Sequence, residues 1–273
     1  SGGKVYGAAG GVCIQRGTLN VEGTALITSK GTGSTGNWGD GTGGLDCAAI
    51  NVSGAYGIAT VNIKGGTLIA EAKSLITEGT TYTPVINVTG GTFSDPSVLK
   101  YMATNATVDI KLLSNINIAK TELATGYILN AANATANLNL NGHDIINSSE
   151  TADATPFTQI FTVQNGTLNI SGNGNVKCDA SATAKDDGYR MVIEARGYGT
   201  VNIHGGSYYN TQKLNTQIDL IYARENGKIN IYGGTFESGK YGTPNNDTDG
   251  RYWVLNLKNT DKNTASIQVS GGT

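Results

Sequence analysis

Five residues of this chain have the types and spacing that chemistry would need. Glu194 and Arg196 lie in Val192-Ile193-Glu194-Ala195-Arg196; Tyr222, Arg224 and Glu225 lie in Leu220-Ile221-Tyr222-Ala223-Arg224-Glu225. The two runs are 28 residues apart and align without a gap. Stacked one above the other, Arg196 and Arg224 would hold two guanidiniums roughly 5 Å apart, a repulsion of about 3 kcal/mol at an effective dielectric of 20. Glu194 and Glu225 are the groups placed to neutralise it. The constellation reads either as a salt-bridged ladder or as a polar groove for a saccharide or a partner subunit. Tyr198, Tyr208, Tyr209, Tyr222, Tyr232, Tyr241, Tyr252 and Trp253 gather in the same half of the chain, and such rings suit sugar stacking and protein interfaces alike.

Other candidate chemistry is weaker. Glycoside hydrolysis needs two carboxylates about 5 to 9.5 Å apart across one sugar bond. Ungapped alignment sets Glu194 against Tyr222 on one side and Phe161 on the other, which supplies no such pair. Asp186-Asp187 sits in the loop-like run Ala184-Lys185-Asp186-Asp187-Gly188, and Asp247, Asp249 and Asp261 are scattered through similar stretches. No calcium or other metal site is expected from them. His143 and His204 follow strand-like runs without a nucleophile or metal partner nearby. Cys13, Cys47 and Cys178 lack C-x-x-C spacing. Cys13 and Cys47 read as buried small hydrophobes, with a Cys13–Cys47 bridge as the alternative. The Gly pairs match no phosphate-binding motif. No cofactor is expected.

What would position these residues is a repeat. The run Gly199-Thr200-Val201-Asn202-Ile203-His204-Gly205-Gly206-Ser207-Tyr208 recurs as Gly227-Lys228-Ile229-Asn230-Ile231-Tyr232-Gly233-Gly234-Thr235-Phe236. Self-similarity at such a period marks a stacked-repeat architecture. Side chains alternate along a strand, so Val201 and Ile203 point inward and Asn202 outward. One unit cannot bury its apolar side alone; stacked units can. The polar position recurs at Asn20, Asn62, Asn87, Asp109, Asn139, Asn169, Asn202, Asn230 and Gln268. An outward ladder of stacked amides is the expectation for it. The fold read from this is all-β: a right-handed parallel β-helix (solenoid) of about nine rungs with loop insertions. Lys30 to Asp46, with Trp38 inside it, is one such insertion. A short helix is expected near 95–104, with Asp95 as its cap and Pro96 in its first turn. It divides the chain into two β-helical segments, 1–105 and 106–273, or decorates one continuous stack. The last residues, Gly271-Gly272-Thr273, stop inside a corner of the repeat, which reads as a piece cut from a longer protein.

Composition limits the partners. Of 273 residues 39 are Gly, only 15% are charged and the net charge is −2. That balance offers no basic field for nucleic acid or an anionic membrane. No apolar run is long enough to span a bilayer as a helix.

The runs Leu138-Asn139-Leu140-Asn141-Gly142-His143, Phe161-Thr162-Val163-Gln164-Asn165-Gly166-Thr167-Leu168-Asn169-Ile170, Gly233-Gly234-Thr235-Phe236 and Val254-Leu255-Asn256-Leu257-Lys258 resemble the right-handed parallel β-helix repeat proteins of gut bacteriophages and gut anaerobes. So does the junction Gly90-Gly91-Thr92-Phe93-Ser94-Asp95-Pro96. The resemblance covers nearly the whole chain. It implies a non-catalytic structural or adhesive β-helix: a bacteriophage fibre, spike or head-decoration component, located in a virion or at a cell surface. Self-association, other virion or surface proteins and a host glycan are the partners it implies. A polysaccharide depolymerase or lyase of tailspike type is the first alternative, and a bacterial adhesin or filament subunit the second. The binding face, if there is one, is expected around Glu194, Arg196, Tyr222, Arg224 and Glu225.

Overall fold

The computed structural model describes residues 2–8, 10–31, 48–71, 73–78, 81–118, 126–147, 159–178, 190–210, 218–238, 252–260 and 262–273. Of these, 65% are in strands and 3% in helix, and strands of both units pair in parallel. The chain is therefore all-β with long parallel sheets, an arrangement compatible with a parallel β-solenoid. It divides into two compact units, one of Ser1–Leu113 with Ala131–Asn137, the other of Ser114–Asn130 with Leu138–Thr273.

In the second unit each repeat contributes strands to three stacked sets. Phe161–Ser171 pairs with Arg190–Ile203, whose two halves pair with Ile218–Arg224 and Lys228–Ile231. The third set runs Ile116–Asn117, Ile145–Asn147, Asn175–Cys178, Ser207–Asn210 and Thr235–Ser238. The 28-residue offset holds on both sides of the turn, from Ile193 opposite Ile221 to Ile203 opposite Ile231. In-register stacking turns the alternating apolar residues into columns. Phe161, Ile193 and Ile221 form one and Ile170, Ile203 and Ile231 another, all at most 1% exposed. The chain then turns at Gly-Gly corners. Gly234 has φ 105°, and a Cβ there would lie 2.9 Å from the carbonyl oxygen of Gly206 in the repeat below. Glycine meets both demands: it adopts positive φ without steric cost and lets one backbone lie close on the next.

The same logic builds the first unit. Val12–Ile14, Ala48–Ser53 and Lys73–Glu78 form one set. Gly17–Val21 and Val85–Phe93 flank Ala59–Ala70 in a second. The third begins at Lys4–Gly7 and Leu26–Ser29 and runs through Leu68 and Phe93 to Ile110. Its inward column of Ile27, Leu68, Phe93 and Ile110 is at most 5% exposed.

The expected amide ladder is present in both units. Asn62 donates from Nδ2 to Oδ1 of Asn20 at 3.0 Å, and Asn87 to Asn62 at 3.0 Å. Asn202 donates to Asn169 and Asn230 to Asn202, both at 2.8 Å. Gln268 stands in register over Asn230. Two members of the expected column do not belong to it. Met102 bridges Val88, and Asp109 pairs with Thr92, past the Gly90-Gly91 corner of Val85–Phe93 and not beside Asn87. Its amide partner there is Asn137, at 3.0 Å. Asn139 instead accepts from the backbone N–H of Asn141 at 2.8 Å. Asn137, Asn139 and Asn141 share one parity, so alternation alone cannot choose among them.

The helix near 95–104 is a 3-10 helix over Pro96–Tyr101. Asp95 caps it by accepting from the Ser97 N–H at 2.8 Å and also accepts from the Ser74 N–H, which ties the cap to the neighbouring strand. Val98 and Leu99 are buried beneath it. Cys178 is buried as a small hydrophobe, but Cys13 is exposed, because it takes the outward position between Val12 and Ile14. Cys47 and the Lys30 to Asp46 insertion, apart from its first two residues, lie outside the described residues.

One aromatic expected near a binding face belongs to the core. Tyr208 is 0% exposed, stacked on Phe236 with ring centroids 5.0 Å apart, and donates its hydroxyl to the Gly205 carbonyl at 2.9 Å. Burial pushes its pKa far above the ordinary phenol value. The raised value means that the native state holds a proton which the unfolded chain releases near pH 10. The stability linked to it is complete below that pH and falls as pH rises beyond. Chemical denaturation across pH 8 to 11 should show this fall. Tyr208→Phe should flatten it, while costing about 1 kcal/mol at neutral pH for the lost hydrogen bond. A second test concerns the columns. Ile203→Asp or Ile231→Asp should cost about 3 kcal/mol or more, read as a lowered thermal midpoint, because an unpaired carboxylate would enter a dry apolar stack.

Candidate binding site

The site lies on the outward side of three strands of the second unit: Arg190–Ile203, Ile218–Arg224 and Tyr252–Lys258. Glu194 faces outward because its neighbours Ile193 and Ala195, both 0% exposed, face the core. It is in register with Tyr222, and Tyr222 with Asn256. On the other side it meets Thr162, not Phe161. The correction has a local cause. Val163 pairs with Ala195 but Asn165 pairs with Tyr198, so the upper strand carries one extra residue. Gly197 sits in this bulge at φ 61°. A one-residue bulge reverses every inside–outside assignment that an ungapped alignment carries across it.

Despite its outward position Glu194 is only 1% exposed, and Tyr222 only 8%. Both carboxylate oxygens of Glu194 are engaged. Arg224 donates from Nε to Oε1 at 2.6 Å, and Gln159 donates from Nε2 to Oε2 at 3.3 Å. Arg224 also donates from its terminal guanidinium nitrogen to Glu225 at 2.6 Å. Burial alone would lower the Arg224 pKa. The hydrogen bond and charge of Glu194, then the charge of Glu225, outweigh that and raise it. Glu225 holds φ 58°, a left-handed conformation unusual for a residue with a Cβ. Its other oxygen accepts from the Gly197 N–H at 2.9 Å, so one side chain fastens the bulge below to the arginine above.

Arg196 follows Ala195, which pairs with Ala223, and Arg224 pairs with Lys258. Arg196, Arg224 and Lys258 thus lie on three successive strands. The middle one has two carboxylates; among the described residues no ion pair is made by Arg196 or Lys258. Arg196 is half-buried, Lys258 exposed, and Tyr198 close by in sequence is 76% exposed.

Asp219 is a site residue that the sequence reading passed over. It is 0% exposed and receives the Asn256 amide on both oxygens, at 3.1 and 3.0 Å. A lone acid inside the apolar run Ile218-Asp219-Leu220-Ile221 was the available signal. Of the other candidates, His204 is exposed and stacks on Tyr232 at 4.8 Å, and His143 is partly exposed at its corner. Tyr232 and Trp253 are about half exposed. Asp186, Asp187, Tyr241, Asp247, Asp249 and Asp261 lie outside the described residues. Among the described residues no three His, Cys, Asp or Glu side chains group as a metal site would require. In the first unit an open groove of about 340 Å³ is lined by glycines with Thr24, Thr67, Thr92, Thr107 and Asp109; Asp109 is bonded there to Asn137.

Comparison with protein-family models, with curated proteins and with solved structures finds no match.

The bonding pattern ranks the residues. Arg224→Ala would leave Glu194 buried without its cation and should cost about 2 to 3 kcal/mol. Glu225→Ala removes a half-exposed partner and should cost about 1 kcal/mol or less. Urea unfolding of the two variants checks the order.

Proposed function

We propose that this chain is a non-catalytic, right-handed parallel β-helix of about nine rungs that presents a surface for host or glycan attachment. The setting that the sequence resemblance points to is a bacteriophage fibre, spike or head decoration. The observation that carries the non-catalytic part is the state of Glu194. Of the five candidate site residues it is the one placed as a catalytic carboxylate would be, outward on a strand at the centre of a polar cluster. A general acid or nucleophile must bring an oxygen to the scissile bond. Glu194 has one oxygen on Arg224 and the other on Gln159, and is almost closed to solvent. Its arrangement serves to hold Arg224 and, through Glu225, the bulge at Gly197. The repeated rungs support the presenting role, since a stack offers the same chemistry at regular intervals and suits weak multivalent contacts.

Purified protein incubated with capsular polysaccharides from candidate host bacteria should release no reducing sugar, and the protein should be found by mass spectrometry in purified virions. Release of sugar that is abolished by Glu194→Gln or Asp219→Asn would establish the depolymerase reading instead. Recovery in a bacterial cell envelope and not in particles would establish the adhesin reading.

A further inference from the structure

Each unit has three strands with an open edge. Among the described residues Lys4–Gly7, Val12–Ile14 and Gly17–Val21 of the first unit pair on one side only. The same holds for Thr235–Ser238, Tyr252–Lys258 and Ser266–Val269 of the second. The apolar columns end there in the open. Leu255, Leu257 and Val269 continue the columns of Ile221, Ala223 and Ile231, yet they are 38%, 46% and 57% exposed where those three are at most 1%. Val5 stands in register with Ile27 and is 39% exposed. An open strand edge is a template for another strand, and proteins usually guard one with Lys, Pro or a covering element. Lys73–Glu78 is met in this way by the 3-10 helix, at the Ser74 N–H and the Leu75 carbonyl. Val12–Ile14, Gly17–Val21 and Ser266–Val269 hold no charged residue and no Pro.

We propose that the open edge of the second unit receives the open edge of the first unit of another copy of this chain, head to tail. The proposal goes beyond the presenting role and needs only the parallel stacking, so either can fail without the other. Strand order selects a second copy as the occupant. Lys4–Gly7 follows Gly2-Gly3 as Thr235–Ser238 follows Gly233-Gly234, and each is the first of its three edge strands in chain order. Laid over Thr235–Ser238, Lys4–Gly7 is therefore followed by Val12–Ile14 for Tyr252–Lys258 and by Gly17–Val21 for Ser266–Val269. The side chains then agree. Val5 comes over Phe236, which continues the column of Tyr208, while Leu19 comes over Ile267 and Val21 over Val269. Asn20 comes over Gln268. Its oxygen accepts from Asn62, which leaves its amide nitrogen on the open side as the donor. Lys4 and Glu237, both exposed, fall on the same side two residues out of register, about 8 Å apart between backbones and within reach of an ion pair. Such a contact is heterologous, so a copy that gains one neighbour keeps an open edge for the next.

The test is sedimentation velocity of the full chain over a range of concentrations, with Val5→Lys and Val269→Lys as variants. The wild type should form a series of species whose masses are multiples of one chain. Each variant places a charge in what would become a dry column. Each should raise the concentration needed for association about tenfold or more. Both positions are exposed in the lone chain, so the variants should keep the wild-type circular dichroism spectrum. Mixing is the decisive arm. Val5→Lys keeps an intact second-unit edge and Val269→Lys an intact first-unit edge, so the mixture should form dimers of one of each and stop there. The proposal is overturned if the wild type stays monomeric up to its solubility limit, or if the mixture does. It is equally overturned if either variant alone associates as the wild type does, since like edges would then be meeting.

Discussion

Parallel, in-register pairing is the constraint from which the rest follows. Each residue must lie directly over its counterpart in the neighbouring repeat, about 4.8 Å away. For an apolar side chain this is favourable, and the columns through Ile193 and Ile221 or Ile203 and Ile231 are the result. For an amide it is also favourable, since one Asn can donate to the next. For a charge it is not. Register sets Arg224 beside Lys258, with Arg196 on the strand before it. Only the middle member is offset, by Glu194 from below and Glu225 from its own strand.

That arrangement explains why a carboxylate is tolerated at 1% exposure. An ionised carboxylate taken out of water costs several kcal/mol unless it is paired and its remaining lone pairs are bonded. Glu194 has a charge-assisted bond at 2.6 Å and an amide at 3.3 Å. Asp219, fully buried, has the Asn256 amide on both oxygens. The two acids are thus held by neighbours from adjoining strands, and the polar cluster is tied to the same register as the core.

Much of this was legible in the sequence, and the boundary is physical. The 28-residue copy, the inward Val201 and Ile203, the outward Asn202 and the capped helix after Asp95 all follow from alternation and local chemistry, which act within a few residues. What failed depends on an event that alternation does not encode. The extra residue at Gly197 moves Glu194 from Phe161 to Thr162. The helix at Pro96–Tyr101 intervenes, and Asp109 is displaced past the Gly90-Gly91 corner to pair with Thr92. Cys13 has apolar neighbours yet lies outward, and Tyr208 has polar chemistry yet lies inward, because parity decides the side and composition does not. The partners of Glu194 were legible only in part: Arg224 and Glu225 could be foreseen, whereas Gln159 comes from another repeat at an irregular spacing.

The amide ladders have one more consequence. Nine Asn side chains among the described residues donate to an Asn or Asp earlier in the chain, and in each of these bonds the nitrogen belongs to the later residue and the oxygen to the earlier one. Side-chain dipoles in a ladder therefore add instead of cancelling, as peptide dipoles do along a helix. In the all-Asn rows Asn20–Asn62–Asn87 and Asn169–Asn202–Asn230, every amide nitrogen points toward the earlier strand and every amide oxygen toward the later one. Successive backbone carbonyls of a parallel strand point alternately to its two neighbours, so their dipoles largely cancel along the stack, and these rows give that direction an electrical sense that the backbone alone would lack.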